Sequence, residues 1–122
     1  MQATMYSAKL IEHFERPRNV GEVAEPTAAA RVENPACGDV MTLAARVEGG
    51  RLVDVKFRVK GCVAAIGCGS AMTELVSGRT LAEARAVKRE EIVAAVGGLP
   101  PASEHASHLA WDALQDVLKQ VK

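Results

Sequence analysis

The chain has 122 residues, 48% of them apolar and 25% charged, which is ordinary for a globular protein. Its 15 basic and 15 acidic side chains cancel, so no net field attracts nucleic acid or an anionic membrane surface. One Trp, one Tyr and two Phe form no aromatic set for stacking single-stranded bases. The composition therefore excludes nucleic acid and membranes as expected partners.

The cysteine count and the N-terminal residues predict a cytoplasmic location. Three cysteines are an odd number, which is not typical of a secreted disulfide framework. The first residues lack the apolar run of a signal peptide, and no stretch approaches the length of a membrane span. At this length we expect residues 1–122 to form a single domain with free thiols.

The first predicted elements are a short helix and a strand. Residues 6–16 have the spacing of an amphipathic helix, which ends at Pro17. Its expected apolar stripe consists of Met5, Leu10, Ile11 and Phe14. After a loop, the alanine-rich residues 28–33 predict a first strand.

A β-hairpin is the clearest local prediction. Alternating apolar residues predict strands over residues 40–47 and 52–60, joined by the turn Glu48-Gly49-Gly50-Arg51. The expected buried face of the second strand consists of Val53, Val55, Phe57 and Val59. Since the sheet has one apolar and one charged face, helices should cover one side only.

All later segments have helical spacing. Residues 62–77 predict a long helix, residues 80–83 match a capping box that opens a short one, and residues 88–96 predict another. In the long helix, Ser70 and Thr73 are expected to lie off the apolar stripe. The last helix begins near residue 103 and carries a continuous apolar stripe: Ala106, Leu109, Ala110, Ala113, Leu114, Val117, Leu118 and Val121.

Chemistry-bearing residues converge at one end of the predicted sheet. The turn over residues 34–39 (Asn-Pro-Ala-Cys-Gly-Asp) contains Cys37 and Asp39. In an antiparallel hairpin that turns at residues 49–50, residues 40 and 60 lie at the same end, so Cys62 should join them. His105 can complete this cluster if the last helix packs with its N-terminus at that end.

Two thiolates, a carboxylate and an imidazole suit zinc, or the iron of an iron–sulfur cluster. Their spacing is not that of a C-x₂-C zinc motif, and each residue also has a plainer interpretation. Cys37 could be a spare loop thiol, Cys62 a small core filler, Asp39 a turn cap and His105 a helix-start or surface histidine.

Four further residues are expected outside this cluster. Cys68 shares the apolar stripe of the long helix, which favours a core position. We expect His13 to be structural, His108 to lie in solvent and Trp111 to be half-buried.

The sequence resembles the IscU/NifU N-terminal family of iron–sulfur cluster assembly scaffolds over almost its whole length. The segments that carry the resemblance are residues 6–21, the turn at 34–39, Lys60-Gly61-Cys62 with the helix after it, and Leu99-Pro100-Pro101 with His105. The resemblance implies an α+β fold, in which a three-stranded antiparallel sheet has helices packed on one face. It also implies a site at Cys37, Asp39, Cys62 and His105.

The implied function is that of a scaffold and not of an enzyme. Such a protein receives sulfur from a cysteine desulfurase, binds iron, and transiently holds a [2Fe-2S] cluster for transfer to apoproteins. Cys37 and Cys62 would be thiolate ligands, Asp39 a labile oxygen ligand and His105 the fourth ligand. Zinc is the alternative occupant, and a chaperone and a second copy of the chain are further candidate partners.

The chain departs from the family pattern at two places. Ala106 stands where the family has a third cysteine after the histidine, and Cys68 is the nearest thiol that could compensate. Ala102-Ser103 replaces the Val-Lys of relatives served by a dedicated Hsp70-type chaperone. Two other functions stay open on this reasoning: a zinc-dependent persulfide carrier, or a divergent desulfurase-binding paralogue that holds only zinc.

Overall fold

In a computed structural model, which describes residues 6–35 and 38–121, a three-stranded antiparallel sheet carries helices on one face. The expected α+β class is confirmed. The elements in chain order are α1 (Ala8–Glu15), β1 (Ala28–Glu33), β2 (Val40–Glu48), β3 (Arg51–Lys60), α2 (Val63–Val76), α3 (Leu81–Arg85), α4 (Arg89–Ala95), a 3₁₀ turn (Pro101–Ser103) and α5 (His105–Gln120).

The sheet has the strand order β1-β2-β3, and its hairpin register follows the sequence prediction. Val40 pairs with Lys60, so the start of β2 and the end of β3 lie side by side. The turn residues Gly49 and Gly50 have φ angles of 58° and 74°, the left-handed conformation that a two-residue hairpin turn needs. The end of the sheet that was expected to hold the site is therefore formed as predicted.

One predicted strand position is wrong. Val53 was expected on the buried face of β3, but it is 45% exposed, and Leu52 is buried instead. The register shifts between Arg46 and Val47, because Arg46 pairs with Asp54 while Val47 pairs with Leu52. Such a bulge adds one residue and reverses the alternation of the faces beyond it.

The second correction concerns α2, which is buried on almost every side. Ser70 and Thr73 were expected off its apolar stripe, yet both are completely buried. The reason is that α2 is central: it contacts α1, α4, α5 and β3. A helix surrounded in this way has little surface left in solvent, and Glu74 is its exposed polar residue.

The buried hydroxyls of α2 hold the turn after α1. Ser70 Oγ accepts a hydrogen bond from the backbone N–H of Arg18 (2.9 Å) and lies 2.7 Å from Nδ1 of His13. Asn19 Nδ2 donates to Thr73 Oγ1 (3.1 Å). We call His13, Arg18, Asn19, Ser70 and Thr73 the Ser70 network. It gives His13 the structural role that was expected.

The last helix confirms its predicted stripe and its exposed histidine. Its apolar residues from Ala106 to Leu118 are buried, while His108 is exposed. Trp111 is half-buried, and its indole N–H donates to the carbonyl of Val87 at 3.3 Å. Within residues 6–35 and 38–121, none of the helices has the length and apolar character needed to cross a bilayer.

Candidate metal centre

Asp39 and Cys62 are brought together by the hairpin register. Asp39 directly precedes β2, and Gly61 directly follows β3, so the Val40–Lys60 pair sets them opposite one another. Cys62 is the N-cap of α2, where its Sγ accepts a hydrogen bond from the backbone N–H of Ala65 at 3.4 Å. Both side chains therefore sit where the sheet passes into the central helix.

His105 reaches the same place as the first residue of α5. The 3₁₀ turn at Pro101–Ser103 directs the chain into this helix. Ser107 Oγ donates to the carbonyl of Glu104 (2.7 Å) and accepts from Nη1 of Arg89 (3.1 Å). Through Arg89, α4 helps to fix the helix start that carries His105.

The three side chains form one cluster of potential ligands. One ligand atom each from Asp39, Cys62 and His105 lies within 4.8 Å of the other two. His105 Nε2 and Asp39 Oδ2 are 3.9 Å apart. Asp39 is buried, whereas Cys62 and His105 are half-buried, which leaves the cluster open to solvent on one side.

One oxygen of the Asp39 carboxylate has no partner among the described residues. Asp39 Oδ2 is buried and makes no hydrogen bond to any atom of residues 6–35 and 38–121. A buried carboxylate oxygen without a donor is unfavourable, and a cation placed among an oxygen, a sulfur and a nitrogen atom would satisfy it. The donor set and this oxygen together fit a thiophilic metal ion such as iron or zinc.

The fourth expected ligand, Cys37, lies outside the described residues, so its place in the cluster stays a prediction. The base of its loop is described. Gly38 N–H donates to the carbonyl of Asn34 (2.7 Å), and Asn34 N–H donates to the carbonyl of Asp39 (2.8 Å). Gly38 has a φ of 78°, the left-handed conformation expected at this bend.

The site raises the pKa of its thiol. Burial is the main cause for Cys62, and the neighbouring Asp39 carboxylate adds to the rise. The backbone N–H groups of Ala65 and Ala64 act in the opposite direction and lower the pKa of Cys62. Without a cation, Cys62 is therefore a thiol at neutral pH, and metal binding must release its proton.

Cys68 is a core residue, as expected, and does not join the ligand cluster. It is completely buried, and burial, with a further contribution from Cys62 once that residue is a thiolate, raises the pKa of Cys68 to about 12. The cluster found among the described residues comprises Asp39, Cys62 and His105 without it. Ala106, in the first turn of α5, is also fully buried and belongs to the hydrophobic core.

Gly61 was predicted only to end a strand, and its contact with Asp39 was missed. The signal was present, since the pairing of residue 40 with residue 60 implies that residue 39 lies opposite residue 61. What the sequence could not reveal is how closely the Asp39 side chain approaches the backbone there.

Comparison with known proteins identifies the family. The model of the NifU-like N terminal domain matches residues 5–122. An iron–sulfur cluster assembly scaffold protein IscU of Archaeoglobus fulgidus is 44% identical over 111 residues, which are 91% of this chain and 72% of that protein. The IscU scaffold protein of Azotobacter vinelandii is 43% identical over 121 residues, 96% of this chain and 94% of that protein.

Solved structures share the fold. A NifU-like N-terminal protein of Brucella abortus superimposes with a TM-score of 0.77 at 24% identity, covering 94% of this chain and 92% of that one. A protein of Fervidobacterium islandicum, described as a putative iron–sulfur cluster assembly scaffold protein, gives a TM-score of 0.74 at 22% identity. The match covers 93% of this chain and 96% of that one. With sequence matches over nearly its whole length and the same fold, this chain belongs to the NifU-like N-terminal domain family.

Proposed function

We propose that this protein is an iron–sulfur cluster assembly scaffold, which binds iron, receives sulfur and holds a cluster for delivery to apoproteins. The observation that carries the proposal is the buried carboxylate of Asp39, which lies in one cluster with a thiol and an imidazole and whose Oδ2 has no hydrogen-bond partner among residues 6–35 and 38–121. Family membership supports it, because three relatives that are 44%, 43% and 41% identical are named as iron–sulfur cluster assembly scaffold proteins IscU.

The cluster is the cargo of this site. Cys37 and Cys62 supply thiolates, His105 an imidazole and Asp39 a carboxylate oxygen, a set that suits a [2Fe-2S] cluster. The carboxylate is the hardest of these ligands and the weakest match for an iron that prefers sulfur. We therefore expect the bond between Asp39 and iron to open first when the iron–sulfur cluster leaves.

The missing third cysteine does not leave the site short of ligands. Ala106 is buried and offers no donor atom, but the neighbouring His105 offers a ring nitrogen in the ligand cluster with Asp39 and Cys62. Imidazole ligation of a [2Fe-2S] iron is established chemistry in Rieske centres. A Cys₂-Asp-His set is sufficient for two irons that share two sulfides.

The sulfur donor in this proposal is a cysteine desulfurase, which delivers sulfur as a persulfide. Reduction of that sulfane sulfur to sulfide takes two electrons from an external reductant. Apoproteins accept the finished cluster, while a chaperone and a second copy of the chain are further candidate partners. Residues 1–122 act as one cytoplasmic domain with no catalytic turnover of their own.

Anaerobic reconstitution with ferrous iron, a desulfurase, cysteine and a reductant tests the proposal. We expect about two irons and two acid-labile sulfides per chain or per dimer. Cys37→Ser, Cys62→Ser and His105→Ala should each lose most of both. Cys68→Ser is the matched control and should keep both, because that thiol lies in the core.

A protein that holds zinc but no sulfide under these conditions would contradict the scaffold proposal. Desulfurase turnover would then separate the other two functions. A persulfide carrier should raise turnover and become labelled on a cysteine, whereas a binding paralogue with structural zinc should do neither.

A further inference from the structure

We infer that Gly61 is a positioning residue for the Asp39 carboxylate: its missing side chain leaves the space that the carboxylate occupies. The effect on cluster release rests on the proposed function. The spatial relation between the two residues does not, and it can be tested without any cluster.

A side chain at position 61 and the carboxylate of Asp39 exclude each other. A Cβ atom built on Gly61 would lie 2.5 Å from Cγ of Asp39, 2.7 Å from Oδ1 and 2.9 Å from Oδ2. All three distances are shorter than the contacts that real Cβ atoms make. The carboxylate thus rests directly on the backbone at the end of β3.

Backbone conformation does not explain the glycine at position 61. Gly38, on the other side of Asp39, has a φ of 78°, and a Cβ there would meet nothing within 4 Å. Gly61 is not among the residues with positive φ, so its backbone is open to any amino acid. The two glycines therefore serve different purposes, since Gly38 allows the bend and Gly61 provides room.

The contact decides where the free oxygen of Asp39 points. In its present place, the carboxylate has Oδ2 3.9 Å from His105 Nε2, and one of its oxygens lies in the ligand cluster with Cys62 and His105. A methyl group at position 61 fits only if the Asp39 side chain is forced to turn away from the backbone, which costs strain. That movement takes the carboxylate out of the ligand cluster, so Gly61 acts on the site through Asp39.

The first test is a double-mutant cycle on the metal-free protein. We expect Gly61→Ala to lower Tm by about 3–12 °C, the usual range for overpacking in a domain of this size. In the Asp39→Ala background, the same substitution should change Tm by less than about 2 °C, because the three clashing atoms are gone. An equal loss in both backgrounds would overturn the inference. If Gly61→Ala alone does not fold, the double variant should still fold, and a double variant that also fails would overturn it too.

The second test measures zinc affinity by competition with a chromophoric chelator. Gly61→Ala and Asp39→Ala should each weaken zinc binding about 10-fold or more, and the double variant should bind no more weakly than Asp39→Ala. Gly69→Ala is the matched control, since its Cβ would lie 2.5 Å from the Phe57 ring in the core. It should lower Tm and leave zinc affinity unchanged.

These outcomes separate the inference from the proposed function. Full zinc affinity in Gly61→Ala with weak binding in Asp39→Ala would show that the glycine does not position the carboxylate. Unchanged affinity in Asp39→Ala would contradict the ligand role of Asp39 and the positioning role with it. Failure to assemble a cluster, with the zinc and Tm results as expected, would count against the scaffold alone.

Discussion

Two buried polar clusters of this protein differ in whether their atoms have partners. In the Ser70 network, the Ser70 and Thr73 hydroxyls both have donors or acceptors in the protein. In the candidate metal centre, Asp39 Oδ2 is also buried and has none in the part of the chain that the structure describes. A network that is complete in itself stabilises the fold, whereas a buried carboxylate left unpaired lowers stability and is available to a cation.

The largest expected effect comes from breaking the complete network. Ser70→Ala removes the hydroxyl that accepts from the half-buried Arg18 N–H and pairs with His13 Nδ1, which keeps only a longer contact of 3.4 Å to Arg18 Nη1. We expect a loss of about 1–3 kcal/mol in the free energy of unfolding, measured by urea denaturation. Zinc affinity should not change, because neither partner belongs to the ligand cluster.

Ser77→Ala is a suitable control for that variant. Ser77 closes the same helix, but it is exposed, and its hydroxyl donates to the carbonyl of Thr73 at 2.7 Å. The expected loss is below about 1 kcal/mol. Equal losses in the two variants would mean that the network adds nothing beyond one ordinary hydrogen bond.

The opposite sign is expected at the metal centre. Asp39→Ala removes a buried carboxylate whose Oδ2 has no donor among the described residues, so the metal-free protein should become more stable by about 1 kcal/mol. Asp112→Ala, at an exposed position of α5, should be neutral within about 0.5 kcal/mol. Marked destabilisation of metal-free Asp39→Ala would show that the carboxylate already has a stabilising partner.

A smaller effect concerns the pH dependence of stability. Burial, together with the charge of Arg18, lowers the pKa of His13 below its usual 6.5, while Glu74 and Glu12 act in the opposite direction. The unfolded chain therefore takes up a proton that the folded protein resists. This contribution to stability is complete above pH 6.5 and is lost as the pH falls towards the lower pKa of the folded state.

The pH effect can be isolated by substitution. Between pH 7.5 and 5.5, wild-type Tm should fall more than that of His13→Gln, which keeps a polar side chain next to Ser70. The same fall in both proteins would show that His13 does not titrate in this range. The comparison is best made without metal, because metal binding at Cys62 releases protons of its own.

Much of the fold follows from alternation and register. The hairpin pattern predicted that residues 40 and 60 pair, and from that pairing came the meeting of Asp39 with Cys62. The exposure of Val53 could not be predicted, because a bulge leaves the amino-acid pattern unchanged and appears only in the pairing. The burial of Ser70 and Thr73 depends on how many neighbours surround α2, which helical spacing does not contain.

The candidate site was predictable in its members and not in its electrostatics. Register predicted that Asp39 and Cys62 meet, whereas the inclusion of His105 depended on how the last helix packs, and Cys37 stays a prediction. Two features depend on the exact placement of the Asp39 side chain: the unpaired Oδ2 and the contact with Gly61. No pattern of amino acids carries that information, although it is what distinguishes a ligand from a turn cap.

Cobalt(II) titration tests most directly whether the unpaired carboxylate is a metal ligand. We predict that the wild-type protein binds one equivalent of cobalt(II) and shows a thiolate-to-cobalt absorption band. The folded Ser70→Ala variant should bind cobalt(II) in the same way. Asp39→Ala should bind at least about 10-fold more weakly. If Asp39→Ala binds cobalt(II) as tightly as wild type, with the same spectrum, Asp39 is not a metal ligand.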